Sequence, residues 1–106
     1  MKTNITIIAA TILLSACSTL KLSTGGEKVR VLDPSEVESC RELGKTNNSV
    51  TAKIVFDKAE EQVAKELRIL ARNSASRMGG DTIVPLTVIE AGHQTFVVYK
   101  CVNPDG

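Results

Sequence analysis

Between Asp57 and Gly80 the apolar residues return in steps of three and four, until two glycines stop the pattern. Ala59, Val63, Leu67, Leu70, Ala71, Ala75 and Met78 fall on one stripe of an α-helix at this spacing. Asp57 can act as N-cap, and Glu60, three residues on, takes the reciprocal place in a capping box. Lys65, Arg68, Arg72 and Arg77 decorate other faces, and Glu61 and Lys65 stand one turn apart, close enough to pair. Gly79-Gly80 offers the left-handed geometry that ends helices. The small alanines on the stripe predict close approach to a sheet. A chain of 106 residues supports one small domain, and this helix, about 57–78, is its main one.

The strands follow from β-branched runs and turn residues. Thr82–Glu90 and Thr95–Val102 are the strongest, and Ala91-Gly92-His93-Gln94 between them has hairpin length. Pro85 cannot donate to a ladder, so its strand is an edge or bulges there. Val29–Leu32 reads as a short strand ended by Asp33-Pro34, and Ser35–Glu38 as one helical turn. Cys40–Lys45 predicts another strand, Thr46-Asn47-Asn48-Ser49 a turn, and Val50–Phe56 a further strand, part of which a helix could also absorb. The fold class is α+β, a small antiparallel sheet covered by one main helix.

Met1-Lys2 gives a positive start, and Ile5–Leu14 is an apolar run of about ten residues. A membrane-spanning helix needs roughly 20. Leu14-Ser15-Ala16-Cys17 follows, and resembles the lipobox of bacterial lipoproteins. Small residues let a signal peptidase reach the bond between Ala16 and Cys17. The Cys17 thiol would carry a diacylglyceryl group, and its freed amine a further acyl chain. Two or three chains anchor stably where one does not. The expected organisation is a signal peptide over 1–16, a lipidated N-terminus and flexible tether over 17–27, and a periplasmic domain over 28–106. Removal of 1–16 takes only Lys2 from the charged residues, leaving 12 basic against 12 acidic side chains. By resemblance to enterobacterial lipoproteins, Ser18 rather than Asp after the lipidated Cys implies the outer membrane, facing the periplasm.

With Cys17 assigned to lipid, Cys40 and Cys101 remain as an even pair in an exported chain, which implies a disulfide. A redox-active pair and a metal site are the alternatives. There is no CxxC, and one His with two distant Cys does not make a ligand set. His93, the only His, reads as a solvated loop residue. No G-x-S-x-G follows a strand, and Gly79-Gly80-Asp81 lacks the Lys and spacing of a phosphate loop. Glu60 and Glu61 are adjacent on a helix and face different directions. Arg68, Arg72 and Arg77 offer a patch for an anionic partner or, more simply, a solvated face. Balanced charge with one Tyr, two Phe and no Trp argues against nucleic acid. The expectation is a non-enzymatic binding or sensing module without cofactor or metal. Its partners are the membrane, through the anchor, and an envelope protein or peptidoglycan. The alternative is a small-molecule binder or an enzyme with an unrecognised site; the oligomeric state is left open.

Four segments together carry a family resemblance: Gly26–Arg30, Cys40–Gly44, Leu67-Arg68 with Asn73–Asp81, and Tyr99-Lys100-Cys101. The chain resembles a family of small proteobacterial lipoproteins defined by a domain of unknown function. The likeness covers nearly the whole mature chain, and its Cys pair matches Cys40 and Cys101. More distantly, the helix, the Gly-Gly break and the next strand are similar to the Rcs envelope-stress sensor lipoprotein. What that likeness implies here is the fold class, not the signalling role.

Overall fold

The computed structural model describes residues 20–50 and 60–105. Strand β4 (His93–Lys100) organises the sheet. β2 (Arg41–Ser49) pairs antiparallel along its whole length, from Arg41 opposite Lys100 to Ser49 opposite His93. β3 (Thr82–Pro85) pairs antiparallel with the other edge of β4, Thr82 opposite Tyr99 and Pro85 opposite Phe96. The two-residue strand β1 (Arg30–Val31) lies parallel to β3, so the order is β1-β3-β4-β2. The class is α+β, with one correction: the sheet is mixed, because β1 is parallel to its neighbour.

Helix α1 (Glu60–Arg77) covers one face. Val63, Leu67, Ala71 and Ala75 of the stripe are buried, whereas Leu70 is half-buried and Met78 exposed. Ala71 and Ala75 meet Val29, Ile83, Phe96 and Val98 in the core, with Leu43 packed against them. Full burial of Leu67 and Phe96 stabilises by roughly 2 kcal/mol each. Val84 and Val97, which alternate with the core residues, are also buried on the opposite face. The expected capping residue Asp57, and Ala59, lie outside the described residues.

Several boundaries differ from those the sequence predicts. Thr46–Ser49 is the second half of β2, not a turn. A full-length partner strand overrides local turn preference, and the polar side chains that face inward are satisfied. Thr46 Oγ1 lies 3.0 Å from Ser74 Oγ of α1, and Asn48 Nδ2 donates to the Thr46 carbonyl. Of the strand expected over Val50–Phe56, residues 51–56 lie outside the described residues, and Val50 follows the end of β2 with its N–H on the Gly92 carbonyl. β3 stops at Pro85 instead of running to Glu90: Leu86 N–H still meets the Thr95 carbonyl in register, but Thr87 N–H turns to that same carbonyl and the alternation ends. Pro85 needs no donor toward β1, which has already ended; the last bond between the two strands is from Leu32 N–H to Ile83. The hairpin turn is tighter than expected. Ala91 and Gly92 both have positive φ, 50° and 76°, and Glu90 and His93 exchange both backbone bonds. That is type I′ geometry, and it places His93 and Gln94 in β4.

Candidate functional site

The Gly79-Gly80 turn decides how the domain closes. Gly80 N–H donates to Ala75 and Gly79 N–H to Ser76, with Gly79 at φ 85°. This is the paired pattern of a Schellman ending. A side chain at Gly80 would run into Val98 and the Tyr99 carbonyl, so glycine allows α1 to end directly on β4. The turn is therefore a packing device and not a phosphate loop.

The next residue, Asp81, was singled out by no motif. Its N–H donates to Tyr99, and its carboxylate accepts from the N–H groups of Cys101 at 2.8 Å and Val102 at 2.9 Å and from the Thr82 hydroxyl at 2.9 Å. Burial pushes its carboxyl up. The two backbone N–H groups, the Thr82 hydroxyl and the Arg30 guanidinium outweigh that and hold its pKa below the ordinary 3.8. Cys101, held in this way, is disulfide-bonded to Cys40 with the two Cα atoms 4.3 Å apart. Arg41 Nε donates to the Pro104 carbonyl at 2.6 Å and draws the C-terminal residues over the same corner.

On the other side of α1 the N-terminal segment is docked rather than free. Asn73 donates from Nδ2 to the Lys21 carbonyl at 2.9 Å and accepts the Ser23 N–H at Oδ1, 2.8 Å. Arg72 donates from Nε to the Val29 carbonyl at 2.9 Å and from Nη2 to the Glu27 carbonyl at 3.2 Å. Between these anchors Ser23 Oγ accepts the Gly26 N–H, and residues Gly26–Lys28 form a turn of 3₁₀ helix. Gly25 lies so close to Ser76 that a Cβ would collide with its side chain. The flexible tether expected over 17–27 is thus, from Lys21 on, a clamp seated on the helix.

The remaining candidates scatter. Arg72 is spent on backbone carbonyls, so Arg68, Arg72 and Arg77 do not act as one free patch. His93 is exposed at the start of β4, beside a shallow groove lined by Thr87, Val88, Glu90 and Gln94. Glu61 lines another open groove with Lys65 and Arg68. Among the described residues, no three His, Cys, Asp or Glu gather to hold a metal ion, and no helix is long and apolar enough to cross a membrane. Ala16 and Cys17 lie outside the described residues.

Asn73 and Asp81 lie in a segment that carries the family resemblance, but sequence reasoning gives neither a role. A signal existed for the first: Asn is a poor helix former in mid-helix, where its amide competes for backbone groups. The structure brings all four segments of the family resemblance together. Gly26–Arg30 packs on Asn73–Ser76, and Met78–Asp81 leads into Tyr99–Cys101, which the disulfide joins to Cys40. No curated protein and no solved structure matches the chain. A family model does match, over residues 20–101, from the beginning of the clamp to the second cysteine of the disulfide, and the chain belongs to that family, described as a domain of unknown function (DUF4156).

Proposed function

We propose that the protein is a lipid-anchored envelope lipoprotein. It is cleaved after Ala16, acylated at Cys17 and carried to the outer membrane facing the periplasm, where its domain binds or senses another envelope component without catalysing a reaction. The observation that carries this reading is Leu14-Ser15-Ala16-Cys17 placed directly after an apolar run too short to span a bilayer. Two further features support it. The Cys40–Cys101 disulfide suits an oxidising compartment, and the family match begins at residue 20, just past the acylation site. The likeness to the Rcs sensor lipoprotein adds the fold class, and leaves the partner, an envelope protein or peptidoglycan, to experiment.

Intact mass of the membrane-extracted protein tests the anchor. The mass should begin at Cys17 with diacylglyceryl and acyl additions, and Cys17→Ser should release the chain from the membrane. A mass beginning at Met1, or a wild-type chain in the soluble fraction, sinks the reading. Photocrosslinking in living cells tests the binding role. Arg68, which is exposed, is a better attachment point than Arg72, whose guanidinium is held by the Glu27 and Val29 carbonyls. Capture of no envelope component from any exposed site removes the binding role and leaves the anchor standing.

A further inference from the structure

We propose that the edge of the domain carrying the N-terminal clamp lies flat against anionic phospholipid headgroups, with Leu20 and Lys21 at the contact and Lys28 and Arg77 beside them. The proposal rests on acylation of Cys17. Three peptide steps separate Cys17 from Leu20, which spans at most about 11 Å. Beyond that the chain has no slack, because the Lys21 carbonyl and the Ser23 N–H are both bound to Asn73. A free segment over 18–27 would let the domain turn in any direction. The clamp removes most of that segment and selects one edge.

The chemistry of that edge fits a headgroup layer. Lys21, Lys28 and Arg77 are exposed, and Leu20 is an exposed apolar side chain. They share one edge: Arg77 stands one turn beyond Asn73, and the Lys28 N–H bonds the carbonyl of Gly25, which abuts Ser76. Glu27 is the only acid between Leu20 and Lys28. Basic side chains near an anionic surface add attraction that falls off within a Debye length, so they matter only if the tether is short. The exposed apolar loop Leu86–Ile89 leaves the opposite end of the sheet from the Gly79-Gly80 turn and serves as the internal control.

The chain contains no Trp, so single reporters can be read cleanly. The acylated protein carrying Thr24→Trp or Val88→Trp is placed in phosphatidylethanolamine–phosphatidylglycerol vesicles with a headgroup nitroxide lipid, and the intact mass of each sample is measured. Thr24→Trp should lose most of its fluorescence and Val88→Trp little. Adding Asn73→Ala should abolish the difference between the two reporters. Lys21→Glu with Arg77→Glu should restore Thr24→Trp fluorescence in these vesicles. Equal quenching of both reporters, stronger quenching of Val88→Trp, or no quenching of either in a sample of acylated mass overturns the lipid-facing edge while the lipoprotein reading survives. An unacylated mass overturns the lipoprotein reading, and the orientation with it.

Discussion

At one end of the β3–β4 pair, Asp81 holds the backbone of Cys101 and Val102, and the disulfide ties Cys101 to Cys40. At the other end, residues after Pro85 leave the ladder, and Leu86, Val88 and Ile89 stand in solvent. The same two strands are thus fixed by a carboxylate and a disulfide at one end, and at the other by a type I′ turn and by hydrogen bonds of Leu86 and Thr87 with Thr95 and Gln94. Side chains near the disulfide are coupled to the whole domain, because they set how α1, β2 and β4 meet. Side chains at the hairpin end contribute locally, so substitutions there can be tolerated by the fold.

The largest effect that separates the two ends is expected for Cys101→Ser. The bridge spans 61 residues of sequence, and loss of a loop of that size costs about 4 kcal/mol in the chain-entropy model. A domain this small has only roughly 5–10 kcal/mol in total. The variant should lose most of its resistance to urea, and its gel mobility should no longer shift on reduction. A denaturation midpoint equal to that of the wild type shows that Asp81 and the Gly-Gly turn fix the corner without the bridge.

Gly80→Ala comes next. The added methyl meets Val98 and the Tyr99 carbonyl, and overpacking of this kind costs roughly 1–3 kcal/mol. In a domain of this size that lowers the melting temperature by about 5–15 °C. An unchanged melting temperature means that α1 and β4 can separate at no cost, and the two ends are less different than they look.

Asp81→Asn is smaller and carries a signature in pH. Asp81 titrates below its ordinary 3.8 in the folded state, so its stabilisation is fully present above that value. As pH falls below 3.8, the unfolded chain takes up its proton first and the stabilisation drains away through the folded-state pKa. Asn keeps one acceptor oxygen but loses the charge, at a cost of roughly 1–2 kcal/mol near neutral pH. The wild type should therefore lose more stability than the variant between pH 5 and pH 2. Parallel urea-midpoint curves across that range remove Asp81 from the account of the corner.

What was legible in the sequence follows the range of the interactions. The helix could be read because its stripe is local: Val63, Leu67, Ala71 and Ala75 repeat at helical spacing and are all buried. The cysteine pair could be read by counting. The second half of β2 could not, since Thr46–Ser49 carries turn residues and becomes a strand only because β4 lies alongside. The clamp was hidden for the same reason. Ser23 and Glu27 look like free polar chain until partners 50 and 45 residues away, Asn73 and Arg72, are placed beside them. The role of Asp81 could not be read because its carboxylate acts on backbone N–H groups, which any residue can present.

The smallest expected effect lies at the hairpin end. Val88 is 79 % exposed, so Val88→Ser removes almost no buried area and should change stability by less than about 0.5 kcal/mol. This near-null result carries information, because Val88 is β-branched and apolar and the same change at Val98 would open the core. A urea midpoint within error of the wild type places the tolerance of the hairpin end in its exposure and not in its residue types. A loss approaching that of Gly80→Ala would mean that the loop is packed in solution, and the contrast between the two ends would fail at its weaker half.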